Sequence, residues 1–166
     1  MKLSSWPLPD PDATQRLGGA IAQTLRWSDD APRVVYLRGE LGAGKTTLAA
    51  AALAAIGVSA TVRSPSFSLV ESYEAANGHA VHMDLYRLAD PSELEHLALR
   101  DHLIARTLLM IEWPERGVGG LPPADLCVEL LTHPQRVASI QAGTIEGDRW
   151  LQRLIEALPD HIEAEH

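Results

Sequence analysis

The sequence predicts an α/β layered domain with a mixed, mostly parallel sheet flanked by helices. Three observations predict it. Strand-like apolar runs alternate with helical patterns through the first two-thirds of the chain, the pattern of layered α/β domains. A glycine-rich segment, Gly39–Gly44, joins one such run directly to an alanine-rich stretch. Two late runs, Leu126–Leu131 and Arg136–Gln141, read as an antiparallel pair added to that sheet. A chain of 166 residues suits one compact domain and can bury about 68–70% of its unfolded surface. Residues 1–160 are assigned to that domain, and 161–166 to a polar, frayed tail.

The elements follow in order. A first helix starts at Asp10-Pro11-Asp12, where aspartate can cap and proline suits the first helical position. Leu17, Ile21 and Leu25 then recur at helical spacing. Val34–Leu37 is a buried strand. A helix over Lys45–Ala55 follows, with Gly57 at its C-terminal cap. The segment Ser64–Tyr73 begins as a hydroxyl-rich loop and ends as a strand. Asn77-Gly78 is a hairpin turn leading into a strand over Ala80–Leu85. Asp90-Pro-Ser-Glu93 opens another helix, with Asp90 as cap and Glu93 placed to reach back. Leu108–Ile111 is a continuous apolar strand ending in Glu112. Gly117–Pro123 is a Gly/Pro-rich loop, and Gly147–Leu158 a closing helix.

Composition narrows the function classes. Hydrophobic residues are 46% and charged residues 22% of the chain, ordinary values for a soluble globular protein. The formal charge of −8 repels phosphate backbones, so this chain alone is poorly suited to grip DNA or RNA. Where its biology involves RNA, a partner does the holding. The single cysteine, Cys127, excludes an internal disulfide and reads as a packing thiol. The first ten residues do not resemble a signal peptide. The longest apolar run, Leu48–Val58, is too short to span a bilayer. A cytoplasmic protein without a membrane role is the expectation. The histidines show no metal-ligand spacing, with His79 and His82 the nearest internal pair.

The glycine-rich segment carries the chemistry. Gly39-Glu-Leu-Gly-Ala-Gly44-Lys45-Thr46 fits G-x-x-x-x-G-K-[ST], the P-loop pattern, with an apolar strand before it and a helix after it. Glycines let backbone N–H groups turn inward against a polyphosphate, and the following helix aims its positive end at the same charge. Lys45 neutralises the outer phosphates, and the Thr46 hydroxyl ligates Mg2+. This makes the chain a P-loop NTPase-like single domain that binds a nucleotide. Such a loop needs an acid at a neighbouring strand tip. Asp84, after Val81-His-Met83, and Glu112, after Leu108–Ile111, are the two candidates. Ser66, in Ser64-Pro-Ser-Phe-Ser68, reads either as a sensor of the terminal phosphate or as part of a plain polar turn. Trp113 reads either as packing or as a group closing the pocket.

Several segments together resemble one family. Pro7-Leu-Pro-Asp10 with Ala13-Thr14, "GELGAGKTTL", "SPSFSLVESY", "DLYRLADPSELE" and "IEWPERG" occur in the order found in the bacterial TsaE family, P-loop ATPases of tRNA threonylcarbamoyladenosine biosynthesis. The likeness covers residues 7 to about 123 and weakens over the last quarter. It implies an ATPase that is weak alone and gated by partners. Those partners are the threonylcarbamoyl transferase and its inactive paralogue, and the product is threonylcarbamoyladenosine at position 37 of tRNAs reading ANN codons. It further implies that Glu40, Leu41, Gly42, Ala43, Gly44, Lys45, Thr46 and Thr47 surround the phosphates. Thr46 and Glu112 stand at the metal, and Asp84 orients or activates water. Ser66 and Trp113 adjoin the nucleotide, and the Leu8–Thr14 segment, including Pro11, lies near the adenine. The family often has threonines where this chain has Ser66 and Ser68.

Two rival readings stay open at this level. A small-molecule kinase would use Arg87, Arg100 or Arg116 as a mobile arginine, although no lid-like insertion is evident. A nucleotide-sensing module would bind ATP with negligible turnover and select a partner through an ordered loop. A GTPase would need a guanine-reading Asn/Thr-Lys-x-Asp segment, which the sequence lacks.

Overall fold

A computed structural model describes residues 2–163. The strands are β1 (Leu3–Pro7), β2 (Arg33–Gly39), β3 (Val70–Ala75), β4 (Gly78–Asp84), β5 (Thr107–Glu112), β6 (Leu126–Leu131), β7 (Val137–Ala142) and β8 (Ile162–Glu163). The α-helices are α1 (Pro11–Gln23), α2 (Lys45–Ala55), α3 (Leu99–His102) and α4 (Ile145–Ala157). All eight strands form one sheet, in the order β3-β4-β5-β2-β6-β7-β1-β8. The four central strands, β4, β5, β2 and β6, run parallel to their neighbours in that group. The outer pairings β3–β4, β6–β7, β7–β1 and β1–β8 are antiparallel. The sheet is therefore mixed with a parallel centre, and the ends of the central strands gather Gly39, Asp84, Glu112 and Leu131 along one edge.

Alternation along the strands divides the core. On β5, Leu108 and Met110 join the cluster built with α1, α2 and α4. Leu109 and Ile111 face a second cluster with Leu85, Leu88, Leu94 and Leu99. All of β5 is buried, as expected of a central strand covered on both faces. The second face is covered lightly, by a 3-10 helix over Pro91–Leu97, the single turn α3, and a 3-10 turn over Pro114–Gly117. On the first face α1 and α2 approach closely, because Gly18 lies against the backbone of α2. The alanines of α2 let that helix seat on the sheet, with Ala49 and Ala52 fully buried.

Local signals mostly act as expected. Asp10 caps α1 by accepting from the Ala13 amide, with Pro11 in the first turn. Four details differ. Ala75 pairs with Gly78, so the hairpin turn is Ala76-Asn77 rather than Asn77-Gly78. Gly78 serves a close approach instead: a Cβ there would stand 2.2 Å from the Arg106 carbonyl oxygen. The helix after Asp90 is 3-10 and stops at Ala98, whose backbone is left-handed. Its Asp90 cap accepts from Ser92 N. Strand β1 was not anticipated; its five residues, Leu-Ser-Ser-Trp-Pro, carry a weak pattern and are held by β7 and by a Trp6 indole bond to the Leu158 carbonyl. In the tail expected to fray, Ile162–Glu163 pairs with β1, and residues 164–166 lie outside the described residues. Among the described residues no helix is long and apolar enough to cross a membrane.

Candidate nucleotide site

The glycine loop spans the gap between the end of β2 and the start of α2. Gly39, Gly42 and Gly44 take φ values of +144°, +78° and +107°, a region costly for residues with a Cβ. Gly39 is also crowded, since a Cβ there would stand 2.8 Å from the Leu130 carbonyl oxygen. Gly44 is the N-cap of α2 and brings no side chain to that end of the helix. The first turn of α2 thus presents backbone donors and the positive end of its dipole without a competing side-chain acceptor, which suits an anion.

Lys45 stands at the head of this turn and is 5% exposed. Its Nζ donates to the carbonyls of Gly39 at 2.6 Å and Glu40 at 2.8 Å. The same ammonium lies 4.4 Å from the centre of the Trp113 ring. Burial lowers the Lys45 pKa, against the opposing pull of Glu112, Asp84, Glu115 and Glu40. The loop therefore folds around its own lysine.

The two acids come together through strand register. Asp84 ends β4 and Glu112 ends β5, and they are direct partners across the parallel pair. Both are buried. Thr46 Oγ1, one residue into α2, donates to the Glu112 carboxylate and lies 3.0 Å from each oxygen. On the inner side, His82 Nε2 is 2.6 Å from Glu112 Oε2. A hydroxyl and carboxylates are the hard oxygen donors that Mg2+ prefers, with the rest of its shell taken by phosphate oxygens and water. Thr46 and Glu112 fit that role and are already in contact.

Asp84 is held from two sides. The Ser64 hydroxyl donates to Oδ2, and the Tyr86 amide donates to Oδ1 at 3.0 Å. The Tyr86 ring packs on Trp113 with centroids 4.9 Å apart. Trp113 itself is left-handed, with φ of +57°, and its amide donates to the Leu37 carbonyl. A chain of contacts thus runs from Asp84 through Tyr86 and Trp113 to Lys45. Ser66 stands two residues beyond Ser64, half-buried in the turn before β3. Its neighbour Phe67 is 85% exposed and lies under the Arg87 guanidinium. Arg116 lies over the Tyr86 ring.

The opposite rim comes from elements far away in sequence. Arg136, just before β7, donates to the Ala43 carbonyl at 2.9 Å. Its own carbonyl accepts from the Leu8 amide. Thr132 donates to the Glu40 carboxylate. The Thr14 methyl lies 3.5 Å from where a Gly44 Cβ would be. The segment Leu8–Thr14, with Pro11 exposed at the start of α1, therefore borders the loop. Glu40, Leu41 and Gly42 are exposed on the loop's outer side, Ala43 is buried beneath it, and Thr47 is exposed on α2.

Ser64, His82, Tyr86, Thr132 and Arg136 were not singled out from the sequence as site residues. Two of them carried a legible signal. His82 lies two residues before Asp84 on a strand, so both side chains project to the same face. Ser64 begins the same hydroxyl-rich segment that contains Ser66. The placement of Thr132 and Arg136 depends on β6 pairing with β2, which brings their hairpin beside the loop.

Comparison with known proteins adds a family. The model of "Threonylcarbamoyl adenosine biosynthesis protein TsaE" matches residues 8–139. A tRNA threonylcarbamoyladenosine biosynthesis protein TsaE from Haemophilus influenzae is 44% identical over 124 residues, covering 74% of this chain and 78% of that one. Its counterpart from Aquifex aeolicus is 38% identical over 125 residues, covering 74% and 83%. The crystal structure of Bacillus subtilis YdiB superposes with a TM-score of 0.71 at 21% identity, covering 94% of this chain and 96% of that one. That structural likeness supports the fold.

Proposed function

The chain belongs to the TsaE family of threonylcarbamoyl adenosine biosynthesis proteins, and from that membership we propose that it is a Mg2+-dependent ATPase serving threonylcarbamoyladenosine formation at position 37 of tRNAs reading ANN codons. The observation that carries the ATPase reading is the meeting of Lys45, Thr46, Glu112 and Asp84 at one end of the parallel strands. Gly42–Thr47 cradle the phosphates. Lys45 exchanges its two carbonyl partners for phosphate oxygens, a stronger charge-assisted pairing. Thr46 and Glu112 hold the metal, which when bound neutralises charge on the phosphates. Asp84, fixed by Ser64 and Tyr86, orients the attacking water. Ser66 reads the state of the terminal phosphate through its loop, and Trp113 closes the lysine side of the pocket.

The transfer chemistry is assigned to partners, the threonylcarbamoyl transferase and its inactive paralogue. The net charge of −8 supports this division, since such a chain gains little from phosphate-backbone contacts of its own. The test is phosphate release by the isolated chain and by the chain with both partners, with ATP and Mg2+. Weak release alone and faster release in the complex is the expected result. No release in either setting would replace the ATPase with a sensor.

One observation favours that second reading. Both Asp84 oxygens already accept hydrogen bonds from the protein, so a water competes for the remaining lone pairs. A kinase has weaker support. Arg87 and Arg116, two of its candidate arginines, lie over Phe67 and Tyr86. The groove that includes the third, Arg100, is lined by Pro91, Leu94, Leu99 and Leu121 and by no residue of the glycine loop Gly39–Gly44.

A further inference from the structure

We propose that His82 is a positioning residue for Glu112: by donating from Nε2 to Oε2 it locks the carboxylate in the orientation that presents Oε1 and the Thr46 hydroxyl to the nucleotide's cation. The proposal rests on the nucleotide reading above.

The geometry is specific. His82 lies on β4 with its side chain fully buried, and the Glu112 side chain is 3% exposed. The two meet at 2.6 Å. The other ring nitrogen, Nδ1, is buried with no hydrogen-bond partner among the described residues. An ionised carboxylate only accepts, so the ring nitrogen that faces Glu112, Nε2, carries a proton, and the ring is a donor to Glu112.

This donation settles how the carboxylate is shared. Thr46 Oγ1 is equidistant from both Glu112 oxygens, but a hydroxyl has one proton. With one lone pair of Oε2 taken by the imidazole, Oε1 is the less engaged acceptor for that proton. A hydroxyl that spends its proton on a carboxylate keeps its lone pairs for a cation. A Glu112 carboxylate without the imidazole would be free to rotate about its last bond, a broad torsion. A histidine that merely filled space would not show a short bond to a strand-tip acid. Partners that orient a metal-site carboxylate are worth about 10- to 100-fold in metal affinity.

The experiment uses the full chain with ATP and Mg2+. His82→Leu removes the donor at similar volume. His82→Gln keeps an amide N–H near the Nε2 position. Calorimetry of ATP binding is run without Mg2+ and across a Mg2+ titration. In His82→Leu the Mg2+ concentration that gives half of the metal-linked gain in ATP affinity rises by about 10- to 100-fold, and the metal-free affinity stays at the wild-type value. His82→Gln restores most of the metal dependence. Wild-type metal dependence in His82→Leu overturns the proposal, as does a His82→Gln that behaves like His82→Leu. If His82→Leu does not fold, 15N NMR of the wild-type imidazole decides. A proton on Nε2, bonded to Glu112, supports the assignment, and a proton on Nδ1 overturns it. Absence of Mg2+-linked ATP binding in the wild-type chain would overturn the nucleotide reading itself, an outcome distinct from a failure confined to His82.

Discussion

The Lys45 ammonium lies 4.4 Å from the centre of the Trp113 ring, so the glycine loop is closed onto the residue that follows Glu112. This contact joins the two halves of the site through one side chain. The lysine is buried, with its ammonium held between two loop carbonyls and the Trp113 ring. Its pKa is lowered because burial disfavours the charged form by more than the nearby acids favour it.

The first prediction follows from that lowering. The unfolded chain binds a proton at Lys45 up to its ordinary value of 10.5, and the folded chain lets go sooner. The cation is therefore a cost to folding below the folded pKa, and that cost shrinks as pH rises through the folded value toward 10.5. Lys45→Met should be at least as stable as the wild type at neutral pH without nucleotide, and the difference should narrow at alkaline pH. It should also weaken ATP binding by at least about tenfold, ~1.4 kcal/mol. Chemical denaturation across pH and ATP calorimetry check the two halves. A variant that loses stability and keeps its affinity contradicts both.

Glu112 leads to the second. Its carboxylate accepts from Thr46 and from His82. Glutamine would turn an amide N–H2 toward one of those donors. Glu112→Gln should lose about 1–3 kcal/mol of stability through that mismatch, together with the Mg2+ dependence of turnover. ATP binding in the absence of metal should survive. A Mg2+ titration of phosphate release that matches the wild type would remove Glu112 from the metal's surroundings.

How far the sequence foretold this site depends on the kind of signal. Residues 39–46 were legible as a strand-to-helix turn because the glycines, the lysine and the threonine are adjacent, and Gly39, Gly42 and Gly44 take the positive φ that such a turn requires. Glu112 was legible because a fully apolar run announces a central strand, and an acid at its end must sit at the sheet edge. Helix α2 ran from Lys45 to Ala55 as read. The rest needed pairing information. Arg136 reaches Ala43 only because β6 lies beside β2, and no local pattern encodes that order. The five residues of β1 show little alternation in hydropathy because Ser4 occupies a buried position. The hairpin at Asn77-Gly78 was misplaced by one residue because Gly78 is required by the Arg106 backbone rather than by the turn.

The loop before β3 supplies the third prediction. Ser64 is the hydroxyl that touches Asp84, and Ser66 belongs to the turn after it. Ser64→Ala frees one Asp84 oxygen and should slow phosphate release by about tenfold, ~1.4 kcal/mol in the barrier. ATP affinity should be little changed. Ser66→Ala should act on the loop's response to nucleotide, read as altered hydrogen-exchange protection of residues 64–69 only when ATP is bound. If Ser64→Ala leaves turnover unchanged and Ser66→Ala abolishes it, the roles of the two serines are reversed.

Adjacent glycines in α1 give a prediction with opposite signs. A Cβ at Gly18 would stand 2.4 Å from the Leu48 carbonyl oxygen and 3.0 Å from the Ala51 methyl, so the helix pair would have to move apart. A Cβ at Gly19 would meet nothing within 4 Å. Gly18→Ala should therefore destabilise by about 1–3 kcal/mol, the usual cost of overpacking. Gly19→Ala should stabilise by about 0.5–1 kcal/mol, because alanine loses less backbone freedom in a helix than glycine does. At roughly 2–4 °C per kcal/mol for a chain of this size, the two melting temperatures should fall on either side of the wild type. Since α2 begins at Lys45, displacing it through Gly18 should also weaken ATP binding, whereas Gly19→Ala should leave binding intact. Thermal unfolding and ATP calorimetry on both variants check the pair. Equal shifts of the same sign would mean that α1 and α2 do not make this close approach.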